Sequence, residues 1–412
     1  MTKKHFKTEN KILIMLAFFS LSVGLWTNFK ELWMQQNNLN VGEISSVLSI
    51  ATFISAFIVI LIASKIKLKN IISLIRCTLI FKTVVMFLLF IFNNSSLKPV
   101  IYILIILDMM LEKIYITSIY PLIILIKKDN NFYSKRKLTE YLFRDLGIFI
   151  GALFIGKNIF NFNVNYNVCL FMSVLIMACS LFSLRSIKTN SSNVKSKVSF
   201  KEIFSDKINN IYFLYGVFAN IAMKSALGLK MLILTNKLSF SVTNATLYAL
   251  IVGLLSDIVG IIILRKFTSK NNFINIFIKF GIRNIMYLLA FLSNNVTVIV
   301  IAITWSILIS TAYENITEAP YINRVKNSKQ LFFNSVRYGI WIIGESIGLF
   351  FAGVMYKIGL RYIFGFSSIF ILLQIICQII LIKMLNKEKL KWAKFDINSK
   401  INKDMFLILF ML

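Results

Sequence analysis

Apolar runs of about twenty residues, separated by short polar stretches, recur from one end of the chain to the other. A helix of that length crosses a hydrocarbon core of about 30 Å and satisfies its own backbone hydrogen bonds where no water reaches. The pattern predicts twelve such helices, over residues 12–33, 44–64, 71–92, 100–126, 141–160, 166–184, 209–234, 244–264, 273–292, 296–322, 331–356 and 363–385. They fall six and six. Residues 1–184 form an N-terminal six-helix bundle, 185–208 a central loop, 209–385 a C-terminal six-helix bundle and 386–412 a tail. The central loop is rich in Lys, Ser and Asn, and Phe200, Ile203 and Phe204 form an apolar group within it. Residues 199–205 therefore read either as a short amphipathic helix on the membrane surface or as solvated linker. The tail ends in an apolar stretch, 405–412, that is too short to span.

The chain is also self-similar at half its length. Gly147, Gly151 and Gly156 of the fifth segment have the spacing G-x3-G-x4-G, and Gly344, Gly348 and Gly353 of the eleventh repeat it 197 residues later. Pro121 after Tyr120 matches Pro320 after Ala319 at an offset of 199, and Lys30 matches Lys230 at an offset of 200. One six-helix unit is thus present twice, and a duplicated bundle packed side by side in a bilayer is the architecture of an alternating-access carrier. Small residues four apart let helix backbones approach closely in lipid, so these glycines are expected to pack helix on helix and half on half.

Composition agrees with a place in lipid: 58% of the 412 residues are hydrophobic and the mean hydropathy is +0.76. The net charge of +29 would suit a nucleic-acid binder if it were spread evenly or clustered on one patch. Instead it alternates by loop. The N-terminus, the loops near Lys65, Lys127, Arg185, Arg265 and Arg324, and the tail hold most of the Lys and Arg, while the opposite loops carry Lys98, Lys157, Lys237, Lys357 and Arg361. This bias places both termini and the central loop in the cytoplasm and excludes nucleic acid as the partner. Richness in Lys, Asn, Ile and Phe points to an AT-rich coding sequence, hence a bacterial cell membrane. Cys77, Cys169, Cys179 and Cys377 lie in apolar segments without metal-ligand spacing, so no metal and no cofactor is expected.

Ionisable side chains at membrane depth cost roughly 2.5 to 3.5 kcal/mol each on insertion scales, so they are expected to face an interior cavity and to pair. The first segment carries Lys30 and Glu31, the fourth Asp108, Glu112 and Lys113, the seventh Lys224 and Lys230, and the tenth Glu314 and Glu318. The first and fourth helices of each half thus bear charge, and these nine residues are the expected transport cavity. Asp108 and Glu112 share one helix face, as do Glu314 and Glu318. Two poorly hydrated carboxylates on one face resist ionising together, which makes Glu112 and Glu314 the expected proton sites. His5 precedes the first segment, so no histidine relay competes with them. Arg144 and Asp145 are the expected gate. Arg76, Lys82, Asp257, Lys279, Arg283, Arg337 and Glu345 read as snorkelling ends or ion pairs between the halves. Trp26, Trp33 and Tyr115 read as interfacial anchors or as stacking surfaces for an organic solute.

Twelve helices in two repeated sixes, a long basic central loop and charge on helices one, four, seven and ten resemble the major facilitator superfamily over about residues 10–385. The family's loop between helices two and three reads like G-x-x-x-D-R-x-G-R-R; here residues 64–69, Ser-Lys-Ile-Lys-Leu-Lys, keep only its basic character. Gly147, Gly151 and Gly156 resemble part of the helix-five motif of exporters, without its Gly-Pro pair. The resemblance implies an all-α integral membrane fold with a cavity between two rocking halves, walled by helices one, four, seven and ten. The function expected is secondary active transport of a small organic solute, proton-coupled, with export ahead of uptake and a monomer as the working unit. The alternative is a transport-inactive sensor or assembly partner that keeps the carrier fold. No G-x-x-x-x-G-K-[ST] loop occurs, which argues against ATP-driven pumping by this chain, and no catalytic cluster marks it as an enzyme.

Overall fold

Unbroken apolar composition makes the helices, and the computed structural model describes them over residues 3–65, 70–93, 97–126, 130–156, 166–184, 200–266, 280–293, 295–308 and 327–398. In the N-terminal half, α1 (Lys3–Thr27) and α2 (Lys30–Gln36) together form the first segment. They are followed by α3 (Val41–Lys65), α4 (Ile71–Ile91), α5 (Lys98–Ile126), α6 (Asn130–Gly156) and α7 (Tyr166–Leu184). A short helix α8 (Phe200–Phe204) precedes the C-terminal half, so a helix is present within the stretch read as either helix or linker. That half comprises α9 (Lys207–Leu227), α10 (Lys230–Leu232) with a wider π turn over Ile233–Lys237, and α11 (Val242–Lys266). It ends with α12 (Ile282–Ser293), α13 (Val296–Leu308), α14 (Asn327–Ile358) and α15 (Leu360–Asn398). Counting α1 with α2 and α9 with α10, the described helices give one to each of the twelve predicted segments. The last helix continues past residue 385, so part of the expected tail is helical.

Local chemistry sets several ends. Asn40 and Glu43 bond reciprocally at the start of α3: the Glu43 N–H donates to Asn40 Oδ1 at 3.0 Å and the Asn40 N–H to Glu43 Oε2 at 2.7 Å. Asp206 caps α9 by accepting the Ile208 N–H at 2.9 Å. Pro99 sits in the first turn of α5, where a missing N–H removes no helical bond.

Large apolar side chains point outward: Phe53 and Phe57 on α3, Phe81 on α4, Ile251 and Ile258 on α11, and Ile369 and Ile376 on α15 are exposed. A water-soluble protein does not display such faces along every helix, whereas a lipid-facing one must. Among the described residues eight helical stretches are long and apolar enough to cross a membrane. The chain is a multi-pass membrane protein.

The packing repeats as the sequence does. In one half α1 lies against α6 and α7; in the other α9 lies against α14 and α15. Ser22 of α1 meets Ser173 of α7 at 2.7 Å between hydroxyls, and Ser225 of α9 meets Ser367 of α15 at the same distance. Two further contacts cross from half to half, α3 on α14 and α6 on α11. Ser49 and Ser346 stitch the first of these, each hydroxyl donating to the other's carbonyl at 2.9 Å.

The repeated glycines mostly seat helices within a half. A side chain at Gly147 would run into the Leu21 carbonyl of α1, and one at Gly344 into the Val217 carbonyl of α9. Gly151 and Gly348 continue these two contacts against Phe29 and Ile221, while Gly353 faces Ser45 of α3 in the other half. Gly156 closes α6. The expectation that the stripe holds half on half applies here to Gly353.

Candidate functional site

The first and seventh helices are both interrupted, and at matching positions. α1 ends at Thr27 and α2 restarts at Lys30; α9 ends at Leu227 and α10 restarts at Lys230. Backbone polarity inside lipid is tolerated only where protein or a water-filled cavity covers it, so paired breaks mark the interior face of both halves. Lys30, the first residue after one break, is buried, and Lys230, the first after the other, is half-buried beside Glu31.

In the N-terminal half buried charges converge on Asp108. Its carboxylate has no exposure to solvent. Lys30 Nζ donates to Oδ2 at 2.6 Å, Lys82 Nζ donates to Oδ1 at 2.6 Å, and Trp26 Nε1 adds a longer bond to Oδ2 at 3.3 Å. Lys82 is itself 1% exposed and reaches Glu112 Oε2 at 3.3 Å, one turn further along α5. Two cations and two anions from α2, α4 and α5 therefore neutralise one another, with Asp108 fully buried and Glu112 at the partly exposed edge of the group. Trp26 and Trp33 stack edge to face at 5.4 Å beside this group, and Lys30 lies over the Trp26 ring.

A second set spans the halves. Lys113 of α5 donates to Glu345 Oε2 of α14 at 2.8 Å, and Lys224 of α9 approaches the same oxygen at 3.8 Å. Lys113 also faces the Tyr338 ring at 5.6 Å. At the two breaks, the Glu31 carboxyl lies against the backbone of Met231 and Leu232, with Lys230 and Lys224 as its cationic neighbours. Glu31 Oε2 and Asn28 Nδ2 are buried without a hydrogen-bond partner among the described residues. Gln35 and Asn236, beyond the breaks, join α2 to the end of the seventh helix at 3.3 Å.

Of the nine expected cavity residues, Lys30, Asp108 and Glu112 meet in the first set, and Lys113 and Lys224 meet on Glu345 in the second. Glu31 and Lys230 oppose each other across the breaks. Glu314 and Glu318 lie outside the described residues. Arg144 and Asp145 are neighbours on α6, with Arg144 Nε 3.6 Å from Asp145 Oδ1. Lys82, read as a snorkelling end or an ion pair between the halves, is instead the most enclosed cation of the N-terminal set, paired within its own half. Arg283, read the same way, is buried and donates to Gln374 Oε1 at 2.8 Å. Trp26, Trp33 and Tyr115 are fully buried rather than anchored at the interface. The signal for Lys82 was its charge in mid-segment; which way α4 turns it is decided only by tertiary packing.

No protein-family model matches the sequence, and no curated protein matches it. Solved structures do. The human organic anion transporter MFSD10 superposes with a TM-score of 0.65 at 11% identity, covering 92% of this chain and 100% of that one. A D-xylose-proton symporter gives 0.64 at 10% identity, covering 89% and 96%. The nucleoside transporter NupG gives 0.59 at 13% identity, covering 92% and 98%. Over nearly the whole of both chains the architecture is shared while the residues are not. The chain has the major facilitator fold, two six-helix bundles in one membrane unit.

Proposed function

We propose that this protein is a secondary active carrier, moving a small organic solute through the bacterial cell membrane by alternating access, with both termini in the cytoplasm. The observation that carries this reading is the Lys113–Glu345 bridge at 2.8 Å, flanked by Lys224, because it ties one half to the other through charges that a static bundle would gain nothing by burying. Such a bridge is stable in one orientation of the halves and broken in the other. Asn28 and Glu31, with polar atoms that no described residue satisfies, are the groups assigned to the solute, together with Lys230 facing them. Lys30, Asp108, Glu112, Lys113 and Lys224 are assigned to the same path, and Glu314 and Glu318, outside the described residues, are assigned to it from the sequence alone. Glu112 is assigned to the proton, exchanging its bond to Lys82 for one. The solved structures of similar fold include a proton symporter for D-xylose, which supports coupling.

Purified protein in proteoliposomes, with a pH gradient imposed and a panel of labelled sugars, nucleosides and peptides, tests the reading. At least one solute is expected to accumulate and to stop doing so with an uncoupler, and Glu112→Gln should lose gradient-driven flux while keeping exchange. Export is assigned ahead of uptake: cells are expected to fill with the solute when the gradient is removed, and to lose it if the direction is inward. Folded protein inactive across the whole panel would favour the transport-inactive sensor.

A further inference from the structure

We propose that Asp145 of α6 and Asp257 of α11 form a second proton-binding site, one proton held between two carboxyl groups across the seam where the halves meet. Asp145 is 3% exposed, and no N–H or O–H donor of a described residue reaches its Oδ2. Its only ion-pair neighbour within 4 Å among the described residues is Arg144, and that contact is long at 3.6 Å. Arg144 is turned away over the Tyr141 ring at 5.1 Å, with its side chain 43% exposed. The Asp145 carboxylate points instead at α11, where Gly253 leaves room: a Cβ there would stand 3.9 Å from Asp145 Oδ1. Asp257 stands four residues on from Gly253, on the same face of α11 one turn further along, which brings its carboxyl into side-chain hydrogen-bond contact with Asp145.

An ionised carboxylate only accepts, so two of them in hydrogen-bond contact need a proton to supply the bond. Loading is the transfer of a proton from hydronium to a carboxylate oxygen of the pair. An O–H bond forms, water is released, the neighbouring carboxylate accepts, and the pair carries one negative charge. Unloading returns the proton to water and leaves two negative charges facing each other across α6 and α11. Among the described residues the charged groups around the pair are Arg144 on α6 and Lys230 on α10, with Glu31 and Lys224 beyond Lys230. One anion matches this setting better than two, since Lys230 is already engaged by Glu31. Because α6 and α11 belong to different halves, the proton joins the halves when bound and drives them apart when lost.

This site rests on the carrier reading only for its purpose, and it is tested without any solute. Infrared difference spectra, acidic minus alkaline, are recorded on the full chain in phosphatidylethanolamine and phosphatidylglycerol vesicles. The wild type is expected to show a hydrogen-bonded carboxyl C=O band that shifts in D2O. Asp257→Asn and Asp145→Asn should each lose the component that the pair contributes, beside any band from Glu112, because the carboxamide N–H replaces the shared proton. Asp145→Glu, which keeps a carboxyl group, should retain it. Persistence of the full band in either Asn variant overturns the site, as does its absence from the wild type, and either folded variant suffices. Failure here leaves proteoliposome flux untouched, and failure of flux leaves this band to be measured.

Discussion

Lys82 carries the charge that the N-terminal half can least do without. Among the described residues its ammonium group is the one cation shared by Asp108 and Glu112, at 2.6 and 3.3 Å, and it is itself buried. Replacing it with Met keeps most of the stem volume but leaves Asp108 with Lys30 alone and Glu112 without that partner. Removing one member of a buried ion set costs about 3–5 kcal/mol, because the remaining charge is stranded. Lys82→Met is therefore expected to lower the thermal unfolding midpoint in detergent sharply, and Lys82→Met with Glu112→Gln to recover part of the loss. Equal midpoints for wild type and Lys82→Met would show that the set is hydrated. The acids of this set are legible in the sequence, since a spacing of four puts Asp108 and Glu112 on one helix face. Lys82 is not, because α4 is apolar nearly all round and nothing in its own pattern says which side turns inward. Trp33 has the same ambiguity: an aromatic residue near a predicted helix end has the same sequence context whether it meets headgroups or Asn167, to which its Nε1 donates at 3.1 Å.

At the scale of elements, glycine spacing and helix breaks carry different amounts of information. The G-x3-G-x4-G repeat announces a close helix contact by its spacing alone, but not its partner, which depends on how six helices are arranged around one another. The partner is α1 for Gly147 and α9 for Gly344, and in both cases the neighbour is backbone, which cannot move aside. Gly147→Leu and Gly344→Leu are each expected to destabilise by at least the roughly 1–3 kcal/mol typical of overpacking, and to reduce the yield of monodisperse protein. Normal yield and midpoint in both would mean that the helices sit further apart. Leucine at Gly359, which follows α14 and has only the Tyr362 ring nearby, is strained by its φ of +159° more than by crowding, and so should cost less in packing. The breaks after Thr27 and Leu227 are the reverse case. The turn residues of the first break, Asn28 and Phe29, are tolerated in a helix, so the first segment reads as continuous; in the second break Gly228 follows the last helical residue and is a local signal of an end. What the sequence did carry was the offset of 200 between Lys30 and Lys230, a repeat that becomes meaningful once both residues are seen to follow a break.

For the whole molecule, the charges between the halves make an ordered prediction. Glu345 is the single anion between Lys113 at 2.8 Å and Lys224 at 3.8 Å. Neutralising it leaves two cations facing each other, one from each half. Neutralising Lys113 leaves Glu345 with Lys224, and neutralising Lys224 leaves the shorter bond intact. The bias toward the observed orientation should therefore fall most in Glu345→Gln, less in Lys113→Met and least in Lys224→Met. Coupling between parts of a protein is typically about 1–3 kcal/mol, a shift of roughly 5- to 150-fold in the balance of states. The contact between Gln35 and Asn236 at 3.3 Å offers the readout, since it joins the halves at the far ends of the first and seventh helices. With Cys77, Cys169, Cys179 and Cys377 replaced, cysteines at 35 and 236 should cross-link efficiently in the otherwise unaltered protein. Cross-linking should drop in the same order as the bias. Combining Glu345→Gln with Lys113→Met removes the like-charge pair that the first substitution creates, so the double variant should cross-link better than Glu345→Gln alone. If all four cross-link alike, the bridge joins the halves without choosing between their orientations, and the molecule is held by its α3–α14 and α6–α11 seams instead.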